Sequence, residues 1–271
     1  MGIQLKNEMQ YLLSAYGLSD KGLVRQNNED FWACVPDLHL FMLADGMGGH
    51  QAGEVAAKEA VVFLSSHLHD LLEKFFSDAP NLEKLIKLLQ TSISDTNRYI
   101  YKMSFSHELL QGMGTTLCCL YFYGDRVIYS HVGDSRIYRL RKNQLEQLTQ
   151  DHSLFRELVD RGVSFDARKE PVYKNIITQA IGTEEVIAPS INVSLVEPND
   201  LYLLCSDGLS DYLSKAEIEQ CLNQPHSVEE RVRALICAAK KKGGYDNVTV
   251  VLVEVQNSDT KNSENESDLP R

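Results

Sequence analysis

The chain has 271 residues, 43% of them hydrophobic and 24% charged, which is enough to bury the core of one large soluble domain or two small ones without disulfides or structural zinc. Its 27 Lys and Arg residues against 38 Asp and Glu residues give a net charge of -11. This charge argues against nucleic-acid binding as the main activity, because a protein that binds phosphate backbones needs a basic surface. The six cysteines form no C-x-x-C pair, and this usage predicts reduced thiols and a cytoplasmic location.

The organisation along the chain predicts one domain and a tail. From Asn257 onward no apolar residue occurs before Leu269, and so polar a segment cannot offset the entropy cost of becoming ordered. We therefore expect a domain over residues 1–256 and a disordered polar tail over 257–271. No run of 18 apolar residues and no signal-peptide pattern occurs, so no association with a membrane is predicted.

Hydrophobic periodicity predicts an α+β fold. Short apolar runs predict strands at about 11–16 and 39–44, and helical spacing then predicts two long amphipathic helices in succession, from near Gly53 to Phe75 and from Leu82 to Ile100. Apolar runs interrupted by turn residues predict an antiparallel meander from Gly114 to Thr149. The later segments predict strands at about 191–196, 201–205 and 247–255, and helices at about 215–222 and 227–241. This order favours helices packed on the outer faces of antiparallel sheets.

Four aspartates lie where apolar strands are predicted to end or begin: Asp45, Asp134, Asp207 and Asp246. An Asp next to Gly at a strand end is often only a turn, because Asp bonds its own backbone and Gly supplies a positive φ. Four such sites in one sheet protein favour a second interpretation, since ionised carboxylates that meet at one edge repel each other unless a cation lies between them. Oxygen ligands without His or Cys suit Mg²⁺ or Mn²⁺.

Seven short motifs then occur in a fixed order. They are Ser19–Asp30 (SDKGLVRQNNED), Asp45–His50 (DGMGGH), Gly112–Thr116 (GMGTT), Gly133–Arg136 (GDSR), Leu148–Ser153 (LTQDHS), Ser206–Asp211 (SDGLSD) and Gly244–Asn247 (GYDN). Together they resemble the ordered motif set of the PP2C-type (PPM) metal-dependent protein Ser/Thr phosphatases in their bacterial form, over about residues 10–256.

The resemblance implies a four-layer αββα fold, in which a β-sandwich of two antiparallel sheets is flanked by pairs of helices, with a binuclear Mn²⁺ or Mg²⁺ centre at one end. By the same resemblance, Asp45 bridges both ions. The Gly46 carbonyl and Glu29, through water, serve one ion, while Asp207 and Asp246 serve the other.

Three further roles follow from the resemblance. Asp30 supports the water shell of the ions, and Asp134 corresponds to a ligand of a third metal in bacterial members, with Asp207 as a shared ligand. Arg25 corresponds to the arginine that binds the substrate phosphate, a task for which its planar fork is better suited than a lysine. The alternative for Arg25 is a surface ion pair with Glu29 at helical spacing.

The function implied is hydrolysis of phosphoserine and phosphothreonine in proteins by direct attack of a hydroxide that bridges the metals, since two dications make water a nucleophile near neutral pH. A monomer that opposes a bacterial Ser/Thr kinase is the expected setting. Two alternatives remain: a catalytically silent module that only binds a phosphoprotein or a partner, and a phosphatase acting on small phosphoesters or other phosphorylated side chains.

The sequence departs from the family pattern beside the bridging aspartate. Met47 occupies the position where animal members have a histidine proposed as the general acid, so the leaving-group proton must come from elsewhere. A metal-bound water is the preferred donor, with His50 as the alternative, whereas His152 is expected to organise a turn before a helix. Residues from 153 to about 181 occupy the place of the family's flap; a plain solvated excursion fits their charges equally well.

Overall fold

The computed structural model describes residues 11–48, 52–75 and 81–257. In chain order the elements are β1 (Tyr11–Asp20), β2 (Asp30–Val35), β3 (Leu40–Met47), α1 (Ala52–Phe75), α2 (Leu82–Ser104), β4 (Gly114–Thr115), β5 (Leu117–Tyr123), β6 (Arg126–Val132), β7 (Arg136–Arg141), β8 (Gln144–Gln147), α3 (Leu154–Asp160), α4 (Glu170–Lys174), β9 (Ser190–Leu195), β10 (Leu201–Cys205), α5 (Asp207–Ser210), α6 (Lys215–Leu222), α7 (Val228–Lys241) and β11 (Val248–Asn257).

Side-chain caps fix where the later helices begin. Ser214 and Glu217 form a reciprocal capping box at the start of α6, and Ser227 and Glu230 form another at the start of α7. The Asn81 side chain accepts a hydrogen bond from the Lys84 backbone at the start of α2. Each cap satisfies backbone N–H groups that have no partner within the helix. The helices predicted at 215–222 and 227–241 are confirmed within one residue.

The strands of the described residues form two antiparallel sheets. One sheet has the order β1-β11-β10-β7-β8, and the other has the order β2-β3-β5-β6-β9, with the short β4 paired to β3. Non-consecutive neighbours such as β1 and β11 bring the first and the last strand of the described residues together. Residues far apart in the sequence therefore share one edge of the sandwich.

Three buried clusters fill the spaces between four layers. One cluster joins α1 and α2 to the outer face of the second sheet, another joins α5, α6 and α7 to the outer face of the first, and a third lies between the sheets. The neighbours Cys118 and Cys119 on β5 belong to different clusters, because successive side chains of a strand point to opposite faces. The predicted αββα sandwich is confirmed.

Some elements differ from the sequence prediction. Strand β2 was not predicted, because its run Asp30–Val35 is short and begins with a charge. Strand β3 continues past Ala44 to Met47, so Asp45 lies inside a strand rather than after one. His50 and residues 258–271 of the predicted tail lie outside the described residues. Among the described helices, none combines the length and apolar composition needed to cross a membrane.

Candidate metal centre

The buried side chain of Asn247 holds two loops together at one end of the sandwich. Its amide nitrogen donates to the carbonyls of Lys21 and Asn27 at 3.0 and 2.8 Å, and its Oδ1 accepts from the Glu29 backbone at 2.8 Å. The loop that carries Arg25 is therefore fixed against the segment just before β11. Because Asp246 precedes Asn247, the two loops place Arg25 and Asp246 side by side.

Strands β2 and β3 place two carboxylates opposite each other. Asp30 pairs in register with Asp45, so their side chains lie on the same face of the sheet. Oδ2 of the buried Asp30 accepts hydrogen bonds from Ser206 at 2.8 Å and from Thr249 at 2.6 Å. Its Oδ1 has no hydrogen-bond partner within the described part of the chain. A buried carboxylate oxygen without a donor is costly, and a cation or ordered water would satisfy it.

The glycines after Asp45 and Asp207 test the turn interpretation of these two positions. Neither Gly46 nor Gly208 has a positive φ, so neither is there to make a turn. A side chain at Gly46 would overlap the carbonyls of Gly53 and Glu29, and one at Gly208 would overlap the carbonyl of Asn247. These glycines instead allow close approach of backbone segments, and the turn interpretation is wrong at both positions.

Asp134 lies on the turn between β6 and β7. Thr116 connects this turn to β3, because its Oγ1 contacts Ser135 Oγ at 2.7 Å and also accepts a hydrogen bond from the Asp45 backbone N–H at 2.9 Å. His152 accepts from the Gly133 backbone at 3.2 Å and immediately precedes Ser153, which caps α3. His152 thus organises this turn and the start of α3, as the sequence predicts.

The carboxyl groups perturb one another's ionisation. Burial, followed by the charges of Asp30 and Asp207, raises the pKa of Asp45 well above its ordinary value. Burial raises the pKa of Asp207 in the same direction, with further contributions from Asp134 and Asp246. Burial likewise raises the pKa values of Asp30 and Asp134 to about 6. The five carboxylates therefore lie close enough to repel each other at one edge.

Arg25 is the cation of this edge. Its Nη2 donates to Asp246 Oδ2 at 2.7 Å, and 54% of its side chain remains exposed. The hydrogen bond to Asp246 raises the pKa of Arg25, with smaller contributions from Glu29 and Asp207. A small open pocket of about 170 Å³ lies beside it, lined by Arg25, Gln26, Asn27, Glu29 and Asn247. The partner of Arg25 is Asp246, so the predicted alternative pair with Glu29 is not formed.

The residues present fit divalent cations. Within residues 11–48, 52–75 and 81–257, no three His, Cys, Asp or Glu side chains are already arranged around one point as a ligand set. Like charges repel without an ion, and Asp246 pairs with Arg25 instead. The donor set is nonetheless all oxygen, includes the unsatisfied Asp30 Oδ1, and carries an excess of negative charge that hard cations such as Mg²⁺ and Mn²⁺ would neutralise.

Sequence reasoning did not assign a role to several residues of this edge. Partial desolvation raises the pKa of Asp211, while the charge of Arg136 lowers it. Tyr212 lies near enough to Asp246 and Asp207 for their charges, after burial, to raise its pKa. Asp211 and Tyr212 lie about one helical turn after Asp207, and this spacing was the only sign in the sequence that they would lie near it. The hydrogen bonds of Asn247 could not be predicted from the sequence, which showed only that Asn247 belongs to the last motif.

Comparisons with known proteins agree with this arrangement. A model of the protein phosphatase 2C family matches residues 20–242. The serine/threonine phosphatase stp of Listeria monocytogenes is 36% identical over 241 residues, which cover 87% of this chain and 93% of the relative. PstP of Mycobacterium tuberculosis is 40% identical over 243 residues, covering 89% of this chain and 45% of that protein.

Solved structures give the same result. A serine/threonine phosphatase of S. agalactiae superposes with a TM-score of 0.80 and 39% identity, covering 89% of this chain and 99% of the other. The catalytic domain of PstP, solved in complex with 2 manganese ions, gives a TM-score of 0.77 and 38% identity over 91% of this chain and 99% of the other. The chain belongs to the protein phosphatase 2C family of hydrolases, and the predictions of family, fold class and enzyme class are confirmed.

Proposed function

We propose that the protein is a manganese- or magnesium-dependent phosphatase that hydrolyses phosphoserine and phosphothreonine in proteins. The observation that carries this proposal is the meeting of Asp45, Asp134, Asp207 and Asp246 at one edge, where the charges of Asp134 and Asp246 contribute to the raised pKa values of Asp45 and Asp207. Carboxylates in such an arrangement are stabilised by cations. The family membership and the PstP complex with 2 manganese ions support the same assignment.

The ions would be held by residues from four segments of the chain. Asp45 would bridge two ions, Asp207 and Asp246 would hold one of them, and the Gly46 carbonyl and Glu29 would serve the other. Asp30, fixed by Ser206 and Thr249, would orient a water in the shell. When bound, the ions would supply a strong electrophile and make water nucleophilic near neutral pH.

Arg25 would bind the substrate. Its guanidinium projects beside the carboxylates and is more than half exposed, so two of its nitrogens can meet phosphate oxygens as a fork. The hydrogen bonds of Asn247 hold the loop of Arg25 in place, which lowers the entropy cost of positioning the phosphoryl group. Local positive charge also lets this acidic protein accept a phosphate at all.

Two parts of the proposal concern the border of the site. We assign a third-ion role to Asp134, since Asp134 is the largest charge contribution, after burial, to the raised pKa of Asp207. Residues 153–181 are assigned as the flap. They include α3 and α4, and the charge of Lys174 on α4 reaches Asp211, which supports a position beside the catalytic edge.

The remaining expectations concern the cellular setting. The six cysteines are free thiols, which supports a reducing compartment such as the cytoplasm. A protein that removes phosphate from Ser and Thr implies a Ser/Thr kinase that adds it. The domain over residues 1–256 is proposed to act as a monomer, without nucleic acid or membrane as a partner.

The direct test is turnover of p-nitrophenyl phosphate and of a phosphothreonine peptide in Mn²⁺ and in EDTA. We expect turnover with Mn²⁺, its loss in EDTA, and a loss of about 100-fold or more in Asp246→Asn, because that change removes a ligand charge. The matched control is Asp37→Asn, which changes an exposed aspartate just after β2. This variant should keep its turnover. Full activity in EDTA would remove the metal mechanism, and a silent wild-type protein would favour the binding module.

A further inference from the structure

Exposed apolar side chains border Arg25. Leu23 is 64% exposed, Val24 56% and Tyr245 55%. They lie on two loops that are joined at Leu23, since the Leu23 N–H donates to the Gly244 carbonyl at 2.7 Å and the Leu23 side chain lies against Gly244. Contiguous apolar surface with a polar border commonly marks an interaction site on a soluble protein.

A groove continues from Leu23 away from the catalytic edge. It has a volume of about 460 Å³ and runs between β1 and α7, with Leu18 and Ile236 among its apolar lining. Its charged lining is mainly basic and consists of Arg233, Lys240, Lys241 and one acid, Asp20. A basic groove is distinctive on a chain with a net charge of -11, because such a local field attracts acidic partners.

Two of the cations already have carboxylate partners. Lys240 contacts Asp20 at 2.8 Å, and Arg233 contacts Glu229 at 2.8 Å. The exposed Lys241 makes no ion pair among the residues that the structure describes, and it lies on the last turn of α7. Lys241 is therefore the cation of the groove that can meet a carboxylate from a bound partner.

The position of the groove limits what can reach it. Leu23 is two residues before Arg25, and Gly244 is two residues before Asp246, so the groove begins next to the phosphate-binding position. Consecutive residues of a polypeptide are about 3.8 Å apart. A phosphoprotein whose phosphoryl group lies at Arg25 can therefore lay the residues next to its phosphoresidue across Leu23.

We propose that the groove between β1 and α7 binds the substrate segment flanking the phosphoresidue, and that it selects segments containing an apolar residue and an acidic one. The apolar side chain packs on the exposed Leu23 and the partly exposed Leu18, and the carboxylate pairs with Lys241. This inference rests on the proposed function, because it places the substrate by its phosphate at Arg25. It assigns a specificity to the site that the metal chemistry alone does not supply.

The test uses two phosphothreonine peptides of equal length. One carries Leu and Asp within four residues on both sides of the phosphothreonine, and the other carries Ser and Gly at those positions. The readout is the ratio of their kcat/KM values in Mn²⁺. We expect the apolar-acidic peptide to be favoured by roughly five-fold or more in the wild-type protein, with the ratio falling as salt screens the charge pair.

The variants are Lys241→Glu, Lys241→Ala and Leu23→Ser, all at exposed positions, and thermal unfolding checks that each is folded. Lys241→Glu should bring the ratio to about one or below, because it places a like charge against the peptide, and Lys241→Ala should give an intermediate value. Leu23→Ser should lower the ratio through lost apolar contact. The matched control is Lys84→Glu on α2, on the opposite outer layer, which should keep the wild-type ratio.

The outcomes separate this inference from the proposed function. Mn²⁺-dependent turnover of p-nitrophenyl phosphate with equal rates for the two peptides, or a ratio unchanged in Lys241→Glu, would overturn the groove and leave the phosphatase intact. No Mn²⁺-dependent turnover of any substrate would overturn both. A changed oligomeric state of Lys241→Glu in light scattering, with the ratio kept, would assign the groove to a second copy of the chain instead.

Discussion

The two ends of strand β10 carry two aspartates in opposite circumstances. Asp200, just before the strand, is 1% exposed and accepts hydrogen bonds from Arg141 Nε and Nη2 at 2.7 and 2.6 Å. The Tyr202 hydroxyl and the Glu197 backbone also donate to it. Asp207, just after the strand, has Asp134, Asp246 and other carboxylates as its charged neighbours. The protein itself supplies the cation at one end, while the other end requires one from solution.

The comparison shows that a buried carboxylate is not by itself a functional signal. A carboxylate that has an arginine and several donors is satisfied and stabilises the fold. A group of carboxylates with too few donors lowers stability unless an ion binds. Such destabilising groups are found mainly at functional sites. The surplus of negative charge around Asp207 distinguishes the site from the structural pair around Asp200.

Matched substitutions at these two positions should give opposite results. We expect Asp207→Asn to lower Mn²⁺-dependent kcat/KM by about 100-fold or more, because a ligand charge is lost, while stability in EDTA holds or rises as repulsion is relieved. We expect Asp200→Asn to keep turnover within about three-fold but to lower stability by about 2–4 kcal/mol, because Arg141 loses its buried partner. Turnover assays and thermal unfolding in EDTA measure both effects. The distinction would fail if the two variants lost activity and stability in parallel.

The pH dependence of the metal-free protein gives a smaller effect with a defined sign. Burial raises the pKa values of Asp30 and Asp134 from 3.8 to about 6, so the folded state holds protons that the unfolded state has released. The contribution of these two groups to the free energy of unfolding in EDTA should therefore be most favourable below pH 4. It should fall as pH rises to about 6, by on the order of 1–3 kcal/mol per group. Urea unfolding at several pH values measures this.

Saturating Mn²⁺ should reverse that trend, because ions bind the deprotonated ligands. The gap in unfolding free energy between the Mn²⁺ and EDTA samples should widen as pH rises from 4 to 6. A gap that stays constant over this range would show that the carboxylates of this edge do not bind the ion. Asp200→Asn offers the control, since it should show the same widening from a lower stability.

Most of the helices and most of the candidate site residues could be predicted from the sequence, because the patterns that indicate them are local. The aspartates beside apolar runs, the two long amphipathic helices and the capped helices α6 and α7 follow from periodicity and turn chemistry. The motif order supplied Arg25 and Glu29, which have no strand-end signal of their own. The place of Asp45 was predicted, although β3 continues beyond it through pairing with β4.

What could not be predicted depends on contacts between distant segments. The strand β2 forms by pairing with β3, and its first residue, Asp30, is held by Ser206 and Thr249, more than 170 residues away in the chain. The role of Gly46 and Gly208 as points of close backbone approach cannot be told from a turn by the Asp-Gly pattern alone. The pairing of Arg25 with Asp246 joins two loops that only the sheet order brings together.

The central claim is that Asp45, Asp207 and Asp246 share divalent ions, and anomalous scattering from crystals grown in Mn²⁺ tests it most directly. We expect two manganese peaks, with the Asp45 carboxylate between them and with Asp207 and Asp246 bound to one of them. Arg25 should then have released Asp246. Crystals with saturating Mn²⁺ in which no peak contacts Asp45, and Arg25 still pairs with Asp246, would contradict the account.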